Sequence, residues 1–138
     1  MHKLIIDTNV WIDWINKGVY ETLLLNRDAV KYLSSIVLME LYAGAYKPGD
    51  LKRVDQLFRA FQRTNRIICP SIENYREAGN IMAKLQRQHG FQVKETMGLS
   101  HDTLIALTAR TIGATLATSN RHDFELLQSL CSFHLQVV

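Results

Sequence analysis

Cysteine is scarce in this 138-residue chain. Cys69 and Cys131 stand far apart, without the paired spacing of a thiolate metal site. Two such residues suit the structural thiols of a cytosolic protein better than a disulfide framework. Long apolar runs are missing as well. None approaches the ~20 residues that a membrane span needs. The apolar start is too short for a secretory leader and carries Asp7, so the expected compartment is the cytoplasm. There is no internal repeat, no low-complexity tract and no linker. No strong excess of one charge exists either: Lys plus Arg number 16 and Asp plus Glu 13, a net charge of +3. That balance permits a polyanionic partner without demanding one. What is present is 47% hydrophobic and 21% charged residues, the composition of a folded domain with a real core. One domain spanning residues 1–138 is expected.

The chain opens with MHKLIIDTN, in which Leu4, Ile5 and Ile6 form an apolar run without alternation. Such a run suits a strand buried on both faces, as in a parallel sheet. Further strands are expected at Tyr32–Leu33, Arg66–Cys69, Ala114–Thr118 and Phe133–Val138. Helical patterning places helices at Val10–Asn16 and Tyr20–Arg27, then after an N-cap at Ser34 or Ser35. Asp50 is expected to cap a helix over 51–63, and Ser71 one that runs to His89 and stops at Gly90. Phe91–Leu99 has no steady period and reads as a loop. Ser100 is expected to cap the next helix, Ser119–Asp123 to form a turn, and Phe124–Leu130 a last helix. Strands alternating with helices predict an α/β fold: one five-stranded parallel sheet covered on both faces, three layers in all.

Four carboxylates have distinctive local settings. Asp7 follows the first strand, Glu40 lies inside an apolar helix, Asp102 is in the first turn of a helix, and Asp123 follows the fourth strand. With strand order 3-2-1-4-5, Asp7 and Asp123 flank the crevice where strand order reverses, the usual ligand site of open α/β sheets. Each acid alone has an ordinary explanation. Asp7 and Asp123 suit turns or caps, Asp102 favours the helix dipole, and Glu40 suits solvent. As a group they would repel one another without a cation. Hard oxygen ligands suit Mg²⁺ or Mn²⁺, and such an ion can clamp a phosphate and activate water. Thr8, Asn9, Thr118 and Asn120 are positioned to orient ligands or waters. His101 and His122 adjoin two of the acids and read as exposed or structural. Trp11 and Trp14, three residues apart, read first as core.

The blocks LIIDTNV, SSIVLMELYAGA, HDTLIALTA and LATSNRHDF occur in this order across the whole chain. Together they resemble the PIN-domain family, and within it the toxin ribonucleases of VapC type. The resemblance implies a metal-dependent endoribonuclease using Mg²⁺ or Mn²⁺. It matches Asp7, Glu40 and Asp102 to the family's core acids, and Asp123 to a more variable fourth. Thr118 and Asn120 match the polar positions before that acid. It further implies a toxin that blocks translation by cutting tRNA or rRNA, a homodimer, and a VapB-type antitoxin. Trp11, Trp14 and Tyr46 are candidates for lining the antitoxin's groove.

Two other functions are compatible with parts of this pattern. An aspartyl-phosphate phosphohydrolase also begins with a strand ending in Asp, but it wants a second Asp where this chain has Asn9. A non-catalytic RNA-binding module on the same fold would gain nothing from an acidic cluster, because its affinity comes from cations on phosphates.

Overall fold

The apolar opening run forms β1 (His2–Ile6), the central strand of a five-stranded parallel sheet in this computed structural model, which describes residues 2–138. On one side lie β2 (Ala29–Ser34) and β3 (Ile67–Ile68), on the other β4 (Thr115–Thr118) and β5 (His134–Val137). The order is β3-β2-β1-β4-β5, as the alternating pattern predicts. Ile5 pairs with Tyr32 on β2 and with Leu116 on β4, so β1 is bonded along both edges. Its apolar run is unbroken because helices cover both faces, and Ile5 and Ile6 are wholly buried.

One layer contains α1 (Thr8–Lys17), α3 (Ser35–Ala43) and α4 (Pro48–Arg63), with α3 packed between the other two. The short α2 (Glu21–Leu24) precedes β2. In the other layer α5 (Ile72–His89) and α8 (Arg121–Gln128) both pack on α7 (Ser100–Thr111). Across the carboxyl end of the sheet α3 touches α7, bringing the two layers together there. Leu33, Val37, Leu107, Leu116, Phe124 and Leu127 are fully buried in one continuous core. None of the described helices is long and apolar enough to cross a membrane. Cys69 and Cys131 are free thiols.

Several boundaries depart from the sequence expectation. α2 is a single turn rather than Tyr20–Arg27. Tyr20 enters it in the left-handed region (φ 66), and Asn26 turns the chain by accepting the Asp28 N–H. α4 begins at Pro48, a residue suited to a first helical position because its missing N–H would be unpaired there anyway. Asp50 is therefore in the first turn and is not the cap. Phe91–Leu99 is not a loop: Val93–Gly98 form α6, at whose start the Gln92 N–H donates to Glu95 Oε1 at 3.1 Å. Ser100 is already helical, and its hydroxyl donates to the Met97 carbonyl instead of capping. The last helix, α8, starts at Arg121 rather than Phe124, so the expected turn at Ser119–Asp123 is cut short by the Asn120 cap.

Candidate active site

Asp7 stands where β1 ends. It N-caps α1, with Oδ1 accepting the Thr8 N–H at 2.8 Å. Oδ2 accepts the Thr118 hydroxyl at 2.7 Å, and the Asp7 N–H donates to the Ala117 carbonyl at 2.9 Å. The pairing of β1 with β4 thus determines which side chain meets Asp7. Asp7 is 4% exposed. Burial pushes its carboxyl above the ordinary value, while the Thr118 hydroxyl and the Thr8 N–H pull it back.

Glu40 arrives from α3. That helix is anchored by buried Ser34, whose hydroxyl accepts the N–H groups of Ile36 and Val37. The anchored helix carries Glu40 to the crevice, where Oε1 accepts the Thr8 hydroxyl at 2.7 Å. Oε2 lies 3.4 Å from Nδ1 of His101, on α7. The solvated position that suits most glutamates is thus only partly realised here, because the side chain is half-buried and bonded.

Asp123 belongs to the first turn of α8, not to the preceding turn. Asn120 caps that helix by accepting the Asp123 N–H at 3.3 Å, and its Nδ2 donates to Asp123 Oδ2 at 3.0 Å. The Asn120 N–H donates to Thr118 Oγ1 at 3.0 Å. A continuous relay therefore runs Asp7–Thr118–Asn120–Asp123 around the carboxyl ends of β1 and β4.

Asp102, in the first turn of α7, completes the group. Burial pushes its carboxyl up to about 7, and the negative charges of Asp7, Glu40 and Asp123 add to the rise. All four acids thus share one crevice, close enough for each of the other three to act on Asp102. Near neutral pH this carboxyl is divided between its acid and its anion.

Of the four supporting polar residues, Thr8, Thr118 and Asn120 bond to an acid. Asn9 does not; its buried Oδ1 has no protein partner among the described residues. His122 is exposed on α8. His101 is exposed as well, yet it contacts Glu40, which its place in the chain does not announce. Trp11 is buried, edge-on to Trp14 at 5.9 Å and to Phe61 at 6.0 Å. It is a core residue. Trp14 is only partly covered and lines a groove of about 490 Å³ with Ile15, Gly18, Arg53 and Leu57. Tyr46 is exposed outside that groove.

The donor set is chemically suited to a hard divalent cation: carboxylates, hydroxyls and an unpartnered buried amide oxygen. No three His, Cys, Asp or Glu side chains among the described residues are drawn close enough to hold a cation as they stand. Asp102 is raised first by its burial and then by the charges of Asp7, Glu40 and Asp123, all of the same sign.

The family described as the PIN domain matches residues 4–128. Ribonuclease VapC1 of Rickettsia felis is 35% identical over 130 residues, covering 92% of each chain. Among solved structures, DNA-bound VapBC from Salmonella typhimurium aligns with a TM-score of 0.70 and 26% identity, over 99% of this chain and 98% of that one. VapBC2 from Rickettsia felis, bound to a promoter fragment, aligns with a TM-score of 0.69 and 27% identity, over the same shares of the two chains. With the family's pattern running through nearly all of its sheet and helices, this chain belongs to the PIN-domain family.

Proposed function

We propose that this chain is a metal-dependent endoribonuclease and the toxin of a VapBC-type pair, acting in the cytoplasm as one domain over residues 1–138. The observation that carries the reading is geometric: Thr118 bonds Asp7, Thr8 bonds Glu40 and Asn120 bonds Asp123, and these three acids surround Asp102 closely enough to act on it. A group of acids that costly to hold together is explained by a cation that offsets their charge. Kinship with Ribonuclease VapC1 supplies the substrate class.

Asp7, Glu40, Asp102 and Asp123 would hold the ion, Mg²⁺ with Mn²⁺ as substitute. When bound, it supplies the positive charge that admits a phosphodiester and makes water a stronger acid. The remaining work falls to the chain. Thr118 and the Thr8 N–H hold Asp7 at a fixed angle. The Thr8 hydroxyl orients Glu40, and Asn120 orients Asp123 while capping α8. Asn9 presents a buried amide oxygen without a protein partner among the described residues, free to accept from a water or a ligand.

The partners that follow are RNA (tRNA or rRNA, whose cleavage stops translation), a second copy of the chain, and a VapB-type antitoxin. VapBC complexes among the structural neighbours support the antitoxin. The groove beside Trp14 and Arg53 is where it would dock. Trp11 is too deeply buried to take part.

The test is cleavage of total cellular RNA by purified protein. Mg²⁺ or Mn²⁺ should be required, EDTA should stop the reaction, and Asp7→Asn and Asp102→Asn should each lower the rate at least ~100-fold. Equal cleavage by either variant would overturn the reading, since a contaminating nuclease ignores both changes. Co-expression with the adjacent open reading frame should relieve growth arrest.

A further inference from the structure

Within the crevice, charge is distributed unevenly. Four carboxylates face it, yet among the described residues the only Lys, Arg or His nitrogen within 4 Å of any of them is His101 Nδ1, beside Glu40. The pair is long-range in the chain, 61 positions apart, and links α3 to α7. His101 precedes Asp102, so one turn of α7 delivers an acid and a base to the same place. Glu40 is gripped from two directions. The Thr8 hydroxyl donates to Oε1 at 2.7 Å, and His101 Nδ1 lies 3.4 Å from Oε2. A ring nitrogen facing a carboxylate oxygen is the one that carries hydrogen, because a lone pair there would be repelled. The His101 side chain as a whole is about half exposed.

We propose that His101 is a positioning residue: its Nδ1–H, opposed by the Thr8 hydroxyl, holds the Glu40 carboxylate in the orientation that binds the cation. The inference rests on the cation-dependent reading above. Among the three acids that bond a side-chain partner, Glu40 gains most from such a hold. Asp7 is locked by a strand end and two bonds, and Asp123 by its own helix cap. Glu40 sits at the end of a longer, more flexible side chain, and an unheld glutamate loses rotamer freedom only when it binds. Partners that orient a ligand in this way are worth about 10–100-fold in metal affinity.

The test measures Mn²⁺ binding by the full chain without RNA, from the electron paramagnetic resonance signal of free Mn²⁺. His101→Ala should weaken binding about 10-fold. His101→Asn, whose amide nitrogen falls near the position of Nδ1, should recover binding to within about threefold of wild type, whereas His101→Gln, whose nitrogen falls near Nε2, should not. In a Glu40→Gln background, His101→Ala should have under about twofold further effect, because the two residues act as one unit. Because the ring is exposed, folding should survive, and an unchanged melting temperature would show it. Wild-type affinity in His101→Ala would overturn the proposal. So would an equal loss with and without the Glu40 carboxylate. If the wild type itself binds no Mn²⁺, the cation-dependent reading fails and this inference fails with it.

Discussion

Thr118 and Asp7, 111 positions apart in the chain, are joined by a 2.7 Å hydrogen bond in which the Thr118 hydroxyl donates to Oδ2. Both residues are buried, and both stand at the carboxyl ends of neighbouring strands. The bond works against the effect of burial, since the hydroxyl lowers a carboxyl that burial raises. Thr118→Val should leave that oxygen without its donor. The cost is about 1–3 kcal/mol of stability, the range for a buried polar group left unpaired. Urea unfolding at pH 7 checks the stability, and RNA cleavage should fall in the same variant.

Asp102 makes stability depend on pH in an unusual direction. Its folded pKa is about 7, against an ordinary value of 3.8. Between those values the folded state binds more protons than the unfolded chain. The stabilisation is therefore present in the acid range and is lost as pH rises through 7. Without added metal, the protein should melt at a higher temperature at pH 5.5 than at pH 8, by about 3–8 °C for a loss on the order of 1 kcal/mol. Asp102→Asn, which cannot ionise, should remove most of that slope. A wild-type melting temperature that stays level or rises between pH 5.5 and 8 would contradict the assignment.

Cation binding should act on the same groups with the opposite dependence. Mg²⁺ or Mn²⁺ at about 100 times its dissociation constant should stabilise the fold by about 2.7 kcal/mol. The gain should be larger at pH 8 than at pH 5.5, because protons compete for Asp102. Calorimetric melting with and without EDTA at the two pH values measures the difference. Asp7→Asn should show almost none of it.

Asn120 has two duties at once: it caps α8, and it bonds the Asp123 carboxylate through Nδ2. Asn120→Ala should cost about 0.5–2 kcal/mol through the lost cap. Asn120→Ser keeps an acceptor for the Asp123 N–H but loses the amide donor to the carboxylate. It should therefore recover most of the stability without recovering cleavage. Equal recovery of both would mean that Asn120 is only a cap.

Much of the architecture can be read from the residues alone. The unbroken apolar run at Leu4–Ile6 places β1 inside the sheet, because only a strand covered on both faces can dispense with polar alternation. Gly90 ends α5 in the left-handed region (φ 67), as its place after the last apolar position predicts. The four motif blocks identify the four acids. Local signals failed where two short cues competed. Asp50 and Ser100 look like caps, but the helices there start at Pro48 and follow directly on α6. The bond from Gln92 to Glu95 starts a helix that lacks any sustained apolar period.

The amino-acid order determined which groups are available, and in which sequence strands and helices deliver them. Their meeting is a property of the tertiary structure. Strand register brings Thr118 to Asp7, the contact of α3 with α7 brings His101 to Glu40, and burial beside the other acids raises Asp102. Side-chain bonds between distant positions depend on how helices dock over a sheet, to within about an ångström. No local pattern carries that information, which is why four acids spread along the sequence meet in one crevice only in the fold.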